Sequence, residues 1–111
     1  MHLLVFDAFA RTINNLPAED ILKALDLESF ILKSYSENHR LYLPAEAYSI
    51  FCFRQFVRAA KCDEPMPNCK PLPPNHLKFY KQTVVRLIQA NELPPSTLDQ
   101  FDSAFPASGQ Q

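Results

Sequence analysis

The sequence predicts an all-α fold, a small irregular bundle of four to six helices with one proline-rich connecting loop. Three observations carry this expectation. Apolar residues recur at three- and four-residue steps through most of the chain, the spacing that gathers them on one face of a helix. Glycine occurs once, at Gly109, so the Asn-Gly and Asp-Gly turns that favour hairpins are absent, as is any glycine-rich phosphate loop. The dipeptide Leu-Pro opens four stretches, at 16, 43, 72 and 93, and an apolar pair at helical spacing follows each one.

The first helix is expected over about residues 2–14, where Leu3, Phe6, Phe9, Ala10 and Ile13 form one stripe and Asp7, Arg11 and Asn14 fall opposite. The stretch 16–38 follows, with Ile21, Leu22 and Leu25 and then Leu27, Phe30, Ile31 and Tyr35. Its stripe shifts near Asp26, which fits one bent helix or two short ones with an aspartate cap between them. Residues 39–43, "HRLYL", alternate briefly but find no partner strand and are read as a connection. From Pro44 to Lys61 the chain is apolar on nearly every side, with Arg54, Arg58 and Lys61 on a narrow polar strip, and this pattern marks the central helix.

The five prolines of "KCDEPMPNCKPLPP" hold residues 61–74 in a stiff connection. A helix over about 73–91 and a short one from about 95 to Phe105 complete the set, giving a single domain over 1–105 and a frayed tail over 106–111. When the Leu-Pro stretches are aligned, the apolar pairs are Ile21/Ala24, Tyr48/Phe51, Leu77/Tyr80 and Leu98/Phe101. Proline suits the first helical turn, where N–H groups lack intrahelical partners, and the leucine packs back on the turn that follows. Separations of 27, 29 and 21 residues are too irregular for a repeat array, so the four stretches read as four helix starts.

At 111 residues with 47% apolar and 21% charged side chains, the chain is long enough to bury a core of its own. Its start is apolar, but it lacks a basic leading region and Asp7 interrupts it, so it is read as part of the fold and not as a signal peptide. No apolar run is long enough for a membrane span. Three cysteines cannot all pair within one chain, and a cytoplasmic setting with reduced thiols is the expectation.

Charge is unevenly distributed. Residues 1–53 hold four Lys/Arg and seven Asp/Glu, residues 54–89 hold seven and two, and residues 90–111 hold none and three. Arg54, Arg58 and Lys61 on one helix and Lys78, Lys81 and Arg86 on another are therefore candidates for a basic face that binds phosphates or nucleic acid. The opposing reading is that the acidic flanks fold over the basic middle and neutralise it.

Cys62, Cys69 and His76 stand seven residues apart and are candidate metal ligands, with His39 as a distant fourth. A Cys62–Cys69 disulfide is the alternative use of those thiols. The tight ligand pairs of structural zinc sites are absent, as are the short nucleophile and metalloprotease motifs of hydrolytic enzymes. No catalytic residue is assigned, and no cofactor is expected. Glu37, His39 and Arg40 cluster in a connection, where polar groups are common. The phenylalanines, including those of "FCFRQF", are read as core, and "KPLPP" as a helix start rather than a ligand for an SH3-like domain.

The leading functional expectation is a non-catalytic helical module that binds a protein partner or a second copy of itself. A nucleic-acid-binding domain built on the basic face is the alternative, and a Cys/His metal-binding or enzymatic protein is the third class. No membrane association is expected.

Overall fold

The computed structural model describes residues 5–26 and 44–106. Among them are five helices: α1 (Val5–Asn14), α2 (18 to the edge of the described stretch at 26), α3 (Pro44–Cys62), α4 (Pro74–Gln89) and α5 (Thr97–Ala104). No described residue lies in a strand. The first residues of the expected opening helix, the second half of the 16–38 stretch, the "HRLYL" connection and the tail beyond 106 lie outside the described residues.

Three of the Leu-Pro stretches can be followed into their helices. Pro17 directly precedes α2, and its carbonyl accepts from the Asp20 amide at 2.9 Å. Pro73 is the extended N-cap of α4, with Pro74 as the first helical residue, where its missing N–H leaves nothing unpaired. At the fourth stretch the helix starts later than the periodicity suggests. Pro94 and Pro95 carbonyls accept from Thr97 and Leu98 at 3.0 and 3.4 Å, a tight turn that delivers the chain into α5 at Thr97. Leu72 and Leu93 are both buried, so each packs beneath the turn it introduces.

Two helices end on left-handed residues other than glycine. After α3, Asp63 has φ 57° and the Glu64 amide donates back to Ala59 at 2.9 Å. After α4, Asn91 has φ 63°, the Glu92 amide donates to Leu87 at 2.8 Å and the Asn91 amide to Ile88 at 3.0 Å. These are Schellman closures, and Asn and Asp are the side chains best able to replace glycine in them.

Helix α1 is held at both ends by opposite charges from its neighbours. At its N-terminus the Phe6 amide donates to Glu46 Oε1 of α3 at 3.2 Å. At its C-terminus the Arg86 guanidinium of α4 donates to the Ile13 carbonyl at 3.2 Å and to the Leu16 carbonyl just beyond the helix. An anion at the start and a cation at the end both complement the helix dipole, and both satisfy backbone groups that the helix leaves unpaired.

The core forms where α1, α3 and α4 meet, and α5 closes it against α3 and α4. Phe53 of α3 and Tyr80 of α4 stack face to face, 4.3 Å between ring centres and 6° between planes. Phe56 meets Phe101 and Phe105 edge-on at 5.6 and 5.4 Å, so α5 docks through its aromatic residues. Phe9, Ile13, Ile21, Ile50, Val84 and Leu87 fill the space between, all fully buried. The phenylalanines among the described residues are thus packing material. α3 and α4 touch each other, and each also touches both α1 and α5.

Candidate functional site

The basic strip of α3 and the later described turns of α2 enclose a groove of about 370 Å³. Its floor is apolar, formed by Leu22, Leu25 and Val57, and its rim carries Arg54, Arg58 and Lys61 with Asp26 opposite. The α3 residues recur at three- and four-residue steps, which is why one helix delivers all of them to one side. Arg54 is tied down by Asp26 at 3.3 Å and is mostly covered. Lys61 reaches Glu92 at 4.0 Å, the outer limit of an ion pair, and Arg58 is exposed with no carboxylate in range among the described residues.

The remaining candidate cations point elsewhere. Lys81 pairs with Asp102 of α5 at 3.3 Å, and Lys78 is exposed on α4. Arg86 turns inward to the end of α1. The structure therefore gathers three of the six cations at the groove and sends the other three to separate places. Asp26, Glu92 and Asp102, all from the acidic flanks, fold back onto the basic middle as partners of Arg54, Lys61 and Lys81.

Cys62, Cys69 and His76 are not brought together. Cys62 is exposed at the end of α3, where it lines the groove; Cys69 is half-buried against the core; His76 is buried under Phe6. Among the described residues no three His, Cys, Asp or Glu side chains are grouped to hold a metal. Cys52, Cys62 and Cys69 are all free thiols.

The buried interior holds a polar group that sequence reasoning missed. Ser49 Oγ lies 2.9 Å from His76 Nδ1 and 2.7 Å from the Tyr80 hydroxyl. Ser49 is 0% exposed and His76 4%, and the imidazole stacks on Phe6 with ring centres 3.7 Å apart. Burial lowers the His76 pKa below its usual value, against the opposing pull of the Glu46 and Asp7 carboxylates. Burial likewise pushes the Tyr80 phenol up, so both rings stay neutral at ordinary pH. With His76 neutral and its Nδ1 unprotonated, Tyr80 donates to Ser49 and Ser49 donates to His76, so neither hydroxyl of this cluster lacks a partner.

A serine beside a histidine is the arrangement of an activated nucleophile. Here the hydroxyl is fully covered and already engaged on both sides, so no reacting carbon can approach it. The triad instead joins α3 to α4 and, through Phe6, to α1. One signal for it was available in the sequence: His76 and Tyr80 are four residues apart and therefore share a helix face.

No protein-family model, no curated protein and no solved structure matches this chain.

Proposed function

We propose that the chain is a non-catalytic helical interaction module that receives an acidic, amphipathic helical segment of a protein partner in the groove between α2 and α3. The observation that carries this reading is the combination of an apolar floor at Leu22, Leu25 and Val57 with a cationic rim on which Arg58 has no acidic partner among the described residues. Such a groove attracts a helix with leucines on one face and glutamates beside them. A broad exposed apolar face is not what recommends it. Tyr48, at 37%, is the single large hydrophobic residue exposed among the described residues. A cytoplasmic setting goes with this reading, in keeping with three free thiols.

The nucleic-acid alternative asks for cations spread along one face, and the pairing of Lys81 and the inward turn of Arg86 leave it less support. The test is a titration of the full chain with a labelled amphipathic peptide bearing glutamates, followed by backbone amide shifts, with a lysine-bearing peptide as control. Binding of the acidic peptide should shift amides around Leu22, Leu25, Val57 and Arg58, and Arg58→Glu with Lys61→Glu should abolish it. Equal binding of both peptides, or shifts centred elsewhere, would overturn the reading. Salt-sensitive binding of single-stranded nucleic acid between about 50 and 200 mM salt, in place of the peptide, would favour the alternative.

A further inference from the structure

Arg54 differs from the other cations of the α2–α3 groove. Its side chain is only 18% exposed, and it stands one helical turn before Arg58, lining the groove together with Leu22, Leu25 and Val57. Its Nη2 group donates to Asp26 Oδ1 at 3.3 Å, long for a charge-assisted bond, which ordinarily spans about 2.8 Å. Nε, the other nitrogen on that edge of the guanidinium, is buried and has no acceptor among the described residues. A carboxylate that used the edge fully would accept from both nitrogens side by side. Asp26 thus takes one prong of two.

The two members of the pair are also held unequally. Asp26 is 72% exposed, so water competes for its carboxylate and the contact adds little to stability. Arg54 is mostly covered, and a covered cationic donor without an acceptor gains from any carboxylate that reaches it, the more so beside apolar side chains. Arg58 and Lys61 are exposed, and they attract a negative partner without fixing its geometry. Arg54 is the cation at which the groove can make a directed bond.

Building on the reading of this groove as a docking site for an acidic helix, we propose that Asp26 is an autoinhibitory stand-in for a glutamate of that helix. The incoming glutamate displaces Asp26 and accepts from Arg54 Nε and Nη2 together, while the Asp26 carboxylate is released to water. Because Asp26 belongs to the same chain, it competes at high effective concentration. A segment that offers no carboxylate to Arg54 leaves the Asp26 contact in place, so the exchange selects partners as well as anchoring them.

The test uses the full chain and the labelled glutamate-bearing amphipathic peptide, with affinity and the Arg54 Nε–H resonance as readouts. The Nε proton should move downfield as the peptide is added. Asp26→Asn should tighten binding by up to about fivefold, the worth of an exposed ion pair. That gain should vanish when Arg54 is replaced in Arg54→Met. Arg54→Lys, which keeps the charge and loses the two-pronged edge, should weaken binding about tenfold. Peptide binding with the Nε proton unmoved and Arg54→Lys unaffected would overturn the proposal and leave the docking reading standing. A gain from Asp26→Asn that persists in Arg54→Met would also overturn it, since Asp26 would then act by its charge alone. Failure of the wild type and Asp26→Asn alike to bind the peptide would remove the docking reading and the proposal together, whereas binding by Asp26→Asn alone would support the stand-in role. The resonance is read on the unaltered chain, so the outcome does not depend on any Arg54 variant folding.

Discussion

Ser49 Oγ lies 2.9 Å from His76 Nδ1, across 27 residues of chain, in the wholly covered interface between α3 and α4. The imidazole that accepts this bond is neutral in the folded protein because burial lowers its pKa, while in the unfolded chain it titrates near its ordinary value of about 6.5. In the window between the two values the unfolded state binds the extra proton, so folding is fully supported above about 6.5 and weakens as pH falls from there toward the lowered folded value. The charged groups nearest the ring, Glu46 of α3 and Asp7 of α1, limit that loss without cancelling it. Thermal melts between pH 7.5 and 5 should show the wild type losing more stability than His76→Gln. Equal losses would mean that other groups set the acid sensitivity.

Removal of the central hydroxyl should cost more than removal of a terminal one. Ser49→Ala leaves both the His76 nitrogen and the Tyr80 hydroxyl buried without partners, a loss of about 2–4 kcal/mol. Tyr80→Phe leaves Ser49 still able to donate to His76 and should cost about 1 kcal/mol. Urea unfolding of the two variants gives the order directly. The reverse order would mean that the phenol, and not the serine, organises the cluster.

Arg86 is expected to be a folding residue. Its two bonds to the Ile13 and Leu16 carbonyls place Arg86→Met about 2–3 kcal/mol below the wild type, with α1 amides exchanging faster in hydrogen exchange. Arg86→Lys should recover only part of the loss, because a single ammonium cannot reproduce the two-pronged reach of the guanidinium. Glu46→Gln, at the other end of α1, keeps an acceptor oxygen for Phe6 and loses only the charge, so its effect should be under about 1 kcal/mol.

The exposed cations should behave differently. Lys81→Ala and Asp102→Ala, alone or together, should change stability by no more than about 0.5 kcal/mol, since both members of that pair are more than half exposed. Arg58→Glu should be equally mild in a denaturation curve while eliminating binding of the acidic peptide. A large loss of stability in Arg58→Glu would mark it as structural and leave the groove without its main cation.

Most of the architecture was legible because it rests on short-range signals. The three- and four-residue apolar steps mark α1, α3 and α4, and proline after leucine marks where α2, α3 and α4 begin. What was not legible depends on who faces whom. Charge counting put Arg86 in a basic face because a backbone carbonyl has no charge to count, yet two carbonyls of the α1 end are what it binds. His76 attracted a metal reading through its even spacing from two cysteines, while its true neighbours, Ser49 and Phe6, are 27 and 70 positions away. Ser49 itself raised no signal, because one hydroxyl in an apolar helix looks like an ordinary interruption. The groove was half visible: Arg54, Arg58 and Lys61 were read as one strip, but the apolar floor that α2 supplies beneath them is a tertiary fact.

The left-handed Asp63 and Asn91 bear on the state the chain leaves when it folds. Among the residues of an unfolded polypeptide, glycine roams most widely in backbone angle and proline least. A chain with ten prolines and one glycine therefore has fewer conformations to surrender on folding than a chain of average composition. Closing α3 and α4 with aspartate and asparagine keeps that narrowness, at a local strain of order 1 kcal/mol per site. Asn91→Gly would relieve the strain and widen the unfolded ensemble together, so the two effects largely offset. The helix ends thus show stability drawn partly from the disordered chain, where no contact exists to be seen.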